Sequence, residues 1–411
     1  MSESSILEVT RRILTGSIEY STVLGDAYED IVDFYREVLS EYGIHVTIHR
    51  VPEEYARRVL PEDFKPEKPR FILLARIGSG ERVLQFNGHY DVVSPGEGWE
   101  TPPFKPVVRY DLVYGRGSTD MKGGIAAVLS AMIRLTQGRE PNVIVEAAIV
   151  PDEEIGGKTG TGYLVNELGS RPDYVVIAEP SGLDNIYIGH RGVLWGIVKV
   201  YGVQAHGSTP WLGDNAFEKM LVFARVFLDR YKEAIASRKS SYTYEDERAS
   251  YPTITPGGVL IAPGSINIVP GVVGFSIDRR LIVEESIESV AREIEGMIED
   301  VGRELGVKAS FTLVEASPPA VTPPEHEYTR LLSRVIEDRI KVEPKRTVCV
   351  GGLDLRYYTV KGIPAVAYGP GEVGLAHKPN EYVRLSHVVK ASEVYEEFVR
   401  EFEKTALARE Q

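Results

Sequence analysis

Two histidines and a group of acids stand where this chain could do chemistry. Phe86-Asn87-Gly88-His89-Tyr90-Asp91-Val92 places a His-x-Asp pair directly after an apolar run. Histidine is the usual metal ligand at neutral pH, and a nearby carboxylate can orient its ring. A surface turn with a capping Asp91 would read the same way. In Gly115-Arg116-Gly117-Ser118-Thr119-Asp120-Met121-Lys122-Gly123-Gly124, glycines on both sides permit a close backbone approach around Asp120. Asp120 could cap the helix that follows, or use its two oxygens to bridge two metals. Val150-Pro151-Asp152-Glu153-Glu154-Ile155-Gly156-Gly157 sets three acids in a row behind an apolar strand. Buried, such acids repel and need a compensating positive charge; solvated, they need nothing. Glu179, in Ile177-Ala178-Glu179-Pro180-Ser181, again follows a strand, and His377 lies in Gly374-Leu375-Ala376-His377-Lys378-Pro379-Asn380-Glu381. Together these residues offer imidazole and carboxylate ligands of the mix that suits zinc, with cobalt or manganese as alternatives.

The elements that must position them are legible from periodicity. Residues up to 40 read as two helices. Apolar or β-branched runs at 44–48, 71–75, 83–86, 143–150 and 174–178 read as strands, with helical patterns at 121–135 and 160–168. Near-continuous apolar strands alternating with helices indicate an α/β domain whose mixed sheet is covered on both faces. His89, the 152–154 acids and Glu179 all fall at carboxyl ends of strands, where ligands gather in open α/β sheets. From about Gly189 the texture changes to strand 193–200, helix 216–236, strands 258–262 and 272–282, helix 286–305 and strand 309–314. That β-α-β-β-α-β order is the ferredoxin-like split unit. The Pro-rich stretch 317–324 reads as a linker, after which a helix (325–340), strands (346–350 and 365–368) and a closing helix from about Ser386 return to the α/β pattern. The expected organisation is a catalytic domain in two parts, 1–188 and 317–411, interrupted by an inserted α+β domain, 189–316.

Composition narrows the partners. A chain of 411 residues favours more than one core, and its 43% hydrophobic and 26% charged residues are ordinary for a soluble protein. The net charge of −13 disfavours nucleic acid and anionic membrane as partners. No apolar run approaches the ~18 residues of a membrane span, and the N-terminus lacks the pattern of a secretory signal. The single cysteine, Cys349, excludes an internal disulfide framework and fits a reducing cytoplasm.

The order and wording of these five motifs resemble the co-catalytic zinc exopeptidase and deacylase family. That family includes acetylornithine deacetylase, succinyl-diaminopimelate desuccinylase, aminoacylase and bacterial glutamate carboxypeptidase. The resemblance runs from about Asp30 onward and includes the insert. It implies that His89 and Glu179 hold one metal, Glu154 and His377 a second, and Asp120 both. It implies that Asp91 orients His89 and that Glu153 is the catalytic base. In the insert, Gly202-Val203-Gln204-Ala205-His206 resembles the segment carrying a lid histidine, His206. Ser265-Ile266-Asn267-Ile268-Val269-Pro270 and Asp278-Arg279-Arg280 resemble the segments whose Asn267 and Arg280 would grip a substrate carboxylate. Gly351-Gly352-Leu353-Asp354-Leu355-Arg356 departs from the pattern, with Leu353 where Thr or Ser is usual. His190 reads equally as a hinge residue or a substrate contact.

The implied chemistry is amide hydrolysis with two divalent metal ions, zinc first and cobalt second. Water between two such ions loses a proton more readily, and Glu153 would take it. The leading expectation is removal of a succinyl or acetyl group from an amino acid such as diaminopimelate or ornithine. A dipeptidase or carboxypeptidase is the close alternative, and a non-catalytic metal-stabilised binding protein the remote one. The insert leaves sheet edges that a second chain could cover. Relatives dimerise in this way, which implies a homodimer with His206 acting in the partner's site.

Overall fold

The alternating apolar runs of the sequence pair into one large mixed sheet. The computed structural model describes residues 3–262 and 264–407. Its strand order is His45–Val51, Arg70–Ile77, Ile144–Val150, Val83–His89, Tyr174–Ile177, Ala365–Gly369, Gly182–His190 and Ala320–Val321, with Lys345–Cys349 also pairing Gly182–His190. Four central strands run parallel: Ile144–Val150, Val83–His89, Tyr174–Ile177 and Ala365–Gly369. Register puts His89 opposite Val150, and Ile177 opposite both Asn87 and Ala367. Their carboxyl ends therefore emerge along one edge.

Both faces of this sheet are covered, which is why its central strands are mostly apolar, with the buried polar groups paired, as Gln85 is with Glu146. Ile72, Ala148 and Val150 pack with Leu164 on one face. Phe86 meets Tyr395 of the closing helix Leu385–Leu407 on the other, with ring centroids 4.9 Å apart. That helix also packs on Gly123–Thr136, the helix that follows Asp120. A side ribbon of Val107–Arg109, Leu112–Tyr114 and Tyr382–Arg384 was not signalled by alternation, because each strand has only three residues.

The stretch expected as a linker is partly sheet. Ala320–Val321 pairs with Gly182–His190, Thr322 N–H donates to the Ile188 carbonyl, and the Thr322 hydroxyl bonds the Ala365 carbonyl at 2.7 Å. Prolines 318, 319, 323 and 324 flank three residues that keep their N–H groups, and those donors make the ladder.

The chain divides into two units. One comprises Met1–Ile188, Val321–Thr347 and Leu353–Gln411; the other comprises Gly189–Ala320 and Val348–Gly352. The second unit is an antiparallel sheet in the order Thr253–Ile261, Val272–Leu281, Gly192–Tyr201, Lys308–Ser317. Two helices, Ala216–Ile235 and Ile287–Leu305, cover one face. Phe223, Phe227, Tyr231, Ile294 and Ile298 pack there on Leu194, Val198, Phe275 and Ile277. Asn215 and Ser286 cap the two helices by accepting main-chain N–H bonds. Val193 pairs with Ser317, so the first and last strands of the insert lie side by side.

Candidate active site

Loops from the carboxyl edge of the parallel strands bring most of the expected residues together. His89 ends its strand and is only 2% exposed. Its Nδ1 lies 3.0 Å from the Asp91 main-chain carbonyl and 3.5 Å from the Asp91 carboxylate. A carbonyl can only accept, so in the neutral ring Nδ1 carries the proton and Nε2 keeps its lone pair. That Nε2 faces acids: Asp120 Oδ1 at 3.2 Å and Glu179 Oε1 at 3.6 Å.

Asp120 turns its second oxygen to another histidine. Oδ2 lies 3.4 Å from His377 Nε2, which is itself 3.0 Å from a Glu154 oxygen. Asp120 does not cap the following helix. Its backbone is non-helical, at φ −119° and ψ 95°, and its side chain serves the two imidazoles instead. The peptide that follows it is cis. Gly124, at the start of the helix, permits a close approach to the neighbouring strand end. A Cβ there would lie 1.9 Å from the Ala178 carbonyl, at the strand end that carries Glu179.

The acidic turn is set by Asp152, which the sequence does not separate from its neighbours. Asp152 adopts φ 63°, a left-handed conformation uncommon for a residue with a side chain. It is fully buried, and its carboxylate accepts from Arg70 Nε at 2.8 Å, Tyr28 Oη at 2.7 Å and Thr159 Oγ1 at 2.5 Å. The Gly157 N–H closes the turn on the Asp152 carbonyl at 2.7 Å. Asp91 holds the other side, accepting the main-chain N–H groups of Glu153 and Glu154 at 3.2 and 3.1 Å.

The electrostatics favour a cation. Burial and repulsion from Asp120 push Glu154 up to about 7. Burial and Asp354 push Glu153 well above the usual carboxylate range, and burial and Asp120 do the same to Glu179. Hydrogen bonds to Asp120 and Glu154 lift His377 to about 10. Burial pulls His89 down, yet its bonds to Asp120 and Asp91 outweigh this and raise it. Burial pushes Asp120 up, but its two histidines reverse the effect and hold it well below the ordinary range. Glu179 Oε1 is buried and makes no hydrogen bond, a costly state that a metal ion would relieve. Donor atoms of His89, Asp120 and Glu154 converge within 4.8 Å, as do those of His89, Glu153 and Glu179. The residues present fit divalent metal. Glu153 shares the donor range, so position alone does not separate a base from a ligand.

The sequence model of peptidase family M20/M25/M40 matches residues 85–401. This chain belongs to that family. It is a metallohydrolase acting on amide or peptide bonds. The succinyl-diaminopimelate desuccinylase of Nautilia profundicola is 29% identical over 352 residues, covering 83% of this chain and 90% of the relative. That of Alkalilimnicola ehrlichii is 30% identical over 340 residues, covering 80% and 86%. Among solved structures, an M20-family metallo-carboxypeptidase from Sulfolobus solfataricus matches with a TM-score of 0.71 at 21% identity, covering 98% of this chain and 100% of that one. A dinuclear metal-binding M20 peptidase from Bacillus subtilis matches at 0.71 and 15%, covering 97% and 98%. The structural likenesses show the M20 fold.

The remaining candidates of this M20 hydrolase lie in the second unit. His206 is exposed, and its Nδ1 accepts the Ser208 N–H at 3.1 Å, leaving Nε2 as the protonated donor of a neutral ring. Asn267 is its neighbour: Ala205–His206 pairs with Ile268–Val269, and Gly207 N–H donates to the Asn267 carbonyl. Arg280 sits on the sheet face away from the helices, with Nε and Nη2 on the two oxygens of Asp278 at 2.8 and 2.9 Å. It lies eight residues along its strand from Val272, roughly 26 Å at the usual rise. One chain therefore holds the His206–Asn267 ribbon and Arg280 toward opposite ends of the strand Val272–Leu281. His190 is fully buried, with Nδ1 at 2.8 Å from the Arg191 carbonyl.

The loop that begins at Leu353 acts through groups other than a hydroxyl. The buried Leu353 offers its carbonyl to Arg356 Nη1 at 2.7 Å. Arg356 Nη2 and Tyr357 Oη both donate to the Gly156 carbonyl, at 2.9 and 2.5 Å. Arg356 and Tyr357 thus brace the turn that bears Glu153 and Glu154. Sequence reading missed this role; the adjacent departure at Leu353 was the only signal.

Proposed function

We propose that this M20 hydrolase is a two-metal deacylase that removes a succinyl or acetyl group from the amino group of an amino acid such as diaminopimelate or ornithine. The observation that carries the two-metal part is Asp120, with one oxygen toward His89 and the other toward His377. His89 and Glu179 would hold one ion, Glu154 and His377 the other, and Asp120 both. Zinc suits this donor set best, with cobalt as the substitute. Bound there, the ions would polarise the amide carbonyl and lower the pKa of water.

In this reading the chain's own groups do the rest. Glu153 accepts the proton of the attacking water and passes it to the leaving amine. Asp91 fixes the Glu153 main chain and the His89 ring together. His206 Nε2–H donates to the developing oxyanion. Asn267 and Arg280 receive the substrate carboxylate, for which the planar fork of Arg280 is suited. Because one chain separates the His206–Asn267 ribbon from Arg280, the complete site draws on two chains, and the protein works as a homodimer joined through the insert. A cytoplasmic setting belongs to the same reading and rests on the single Cys349.

The desuccinylase relatives that align over most of the chain favour a succinylated substrate. The carboxypeptidase among the structural neighbours keeps peptide cleavage as the second reading. A panel of succinyl-diaminopimelate, acetylornithine, other N-acyl amino acids and dipeptides, run with zinc and with cobalt, decides between them. The deacylase reading expects the highest kcat/KM on an N-acyl amino acid. Turnover confined to dipeptides would replace it with the peptidase reading.

A further inference from the structure

The two halves of the metal cluster are supported differently. His89 ends a central strand, is buried, and inherits its position from the parallel ladder on either side. His377 has none of this support. Its side chain is about half exposed, and it lies in an irregular loop with its own backbone at φ 66°. Something other than packing must hold that imidazole opposite Asp120.

We propose that Glu381 is the positioning residue for the metal position of Glu154 and His377, an inference that rests on the two-metal reading above. Glu381 lies four residues beyond His377 and is 0% exposed. Its carboxylate takes four donors from the segment that carries Asp120. Oε1 accepts the main-chain N–H groups of Thr119 at 2.8 Å and Asp120 at 3.0 Å. Oε2 accepts the Gly117 N–H at 3.1 Å and the Arg116 guanidinium at 2.5 Å. A carboxylate has about four acceptor sites, and here all are used. The return bonds come from the same guanidinium, with Nη2 on the His377 carbonyl and Nη1 on the Lys378 carbonyl, both at 3.3 Å. Two further bonds run between the segments, Gly115 N–H to the Glu381 carbonyl and Thr119 Oγ1 to the Tyr382 carbonyl. Glu381 and Arg116 thereby lock the Asp120 turn to the His377 loop. They touch no candidate ligand side chain; they fix how far apart Asp120 and His377 stand.

The acceptor-only character of Glu381 makes the inference testable. Glutamine keeps the size but replaces one oxygen with an NH2 group. That group must face either the Thr119 and Asp120 N–H donors or those of Gly117 and Arg116, donor against donor. Zinc is titrated calorimetrically into metal-free wild type and Glu381→Gln, with the unfolding temperature of each metal-free protein measured alongside. The expected result is two zinc equivalents in both proteins, the weaker-supported one losing about 10–100-fold in affinity in the variant while the other is unchanged. Wild type that binds a single zinc would sink the two-metal reading before any variant is made. Wild type binding two, with both affinities unchanged in Glu381→Gln, overturns the role of Glu381 alone. Equal weakening of both equivalents also overturns it, since that is what a merely structural residue would do. If Glu381→Gln does not fold, Arg116→Lys decides by the same titration: it keeps a charge but removes the fork that reaches the His377 and Lys378 carbonyls. Selective weakening of one equivalent then supports the inference, and unchanged or equally weakened binding overturns it.

Discussion

Asp91 accepts the main-chain N–H of Glu153 at 3.2 Å while its own main-chain carbonyl lies 3.0 Å from the His89 ring nitrogen. One residue thus sets the angle of an imidazole and the path of the acidic turn. Any displacement of Asp91 moves the candidate base and a candidate ligand together.

Glu153 and Glu154 are neighbours with different proposed duties, and substitution separates them. Glu153→Gln is expected to retain both metals and lose about 10²–10⁴-fold in kcat, the range of a lost general base. Elemental analysis beside steady-state kinetics checks this. Loss of a metal from the variant would make Glu153 a ligand, in keeping with its place among the donor atoms of His89 and Glu179.

Asp152 stands one residue earlier and should behave differently. Asp152→Asn removes acceptor capacity from a site that serves Arg70, Tyr28 and Thr159 out of reach of water. Breaking one partner of a buried ion pair costs about 3–5 kcal/mol. The unfolding temperature of the variant should fall by several degrees, whereas Glu153→Gln, which relieves a repelled carboxylate, should leave it unchanged or higher. Equal unfolding temperatures for Asp152→Asn and wild type would remove the structural role.

Metal affinity should rise with pH. In the metal-free chain Glu154 holds its proton up to about 7 and His377 up to about 10, and both protons must leave before the lone pairs can bind metal. The His377 proton is displaced at both pH 8 and pH 6, whereas the Glu154 proton joins those displaced as pH falls through about 7. Each displaced proton weakens apparent affinity about tenfold per unit fall in pH. Calorimetry in buffers of differing ionisation enthalpy should count more protons released at pH 6 than at pH 8. The same count at both would remove Glu154 from the ligand set.

Arg280→Ala should mainly raise KM for substrates bearing a carboxylate. A group that does not change in the reaction is bound about equally before and at the transition state. Steady-state kinetics giving an unchanged KM and a lower kcat would move Arg280 to the reacting centre.

Mixing two inactive variants tests whether the site draws on two chains. In a mixed dimer of Glu153→Ala and His206→Ala, one site carries both defects and the other carries neither. Random exchange makes about half the dimers mixed, so about a quarter of wild-type activity should return. Mixed dimers verified by mass that remain inactive would exclude a role for His206 in the partner's site.

Periodicity carried most of the fold. The runs leading to His89, Val150 and Ile177 are short and mostly apolar, as strands of a covered sheet are, with Gln85, Asn87 and Glu146 as the buried exceptions. The 152–154 acids could be placed at a strand end because they follow an apolar run, whereas for Asp120 the flanking glycines signalled only a close backbone approach at the start of a helix. What the sequence left open are bonds between distant segments of the chain. Nothing near Arg70 points to Asp152, 82 residues away, and nothing near Glu381 points to the N–H groups of Gly117, Thr119 and Asp120. Main-chain donors leave no trace in residue identity. The strand at Ala320–Val321 was hidden for a related reason, since four flanking prolines outweighed the three N–H groups between them.

The pairing of Val193 with Ser317 has a further consequence. An insert whose first and last strands are neighbours presents its entry and exit as one narrow seam. Two cuts at that seam free Gly189–Ala320, and Val348–Gly352, which belongs to the same unit, has to be exchanged with it. The proposed metal ligands lie outside that unit, and the proposed substrate contacts His206, Asn267 and Arg280 lie inside it. Under the proposed roles, replacing that unit would retune substrate choice while the metal-holding half stays as it is, and a chimera between two M20 hydrolases would exchange Gly189–Ala320 and Val348–Gly352 together.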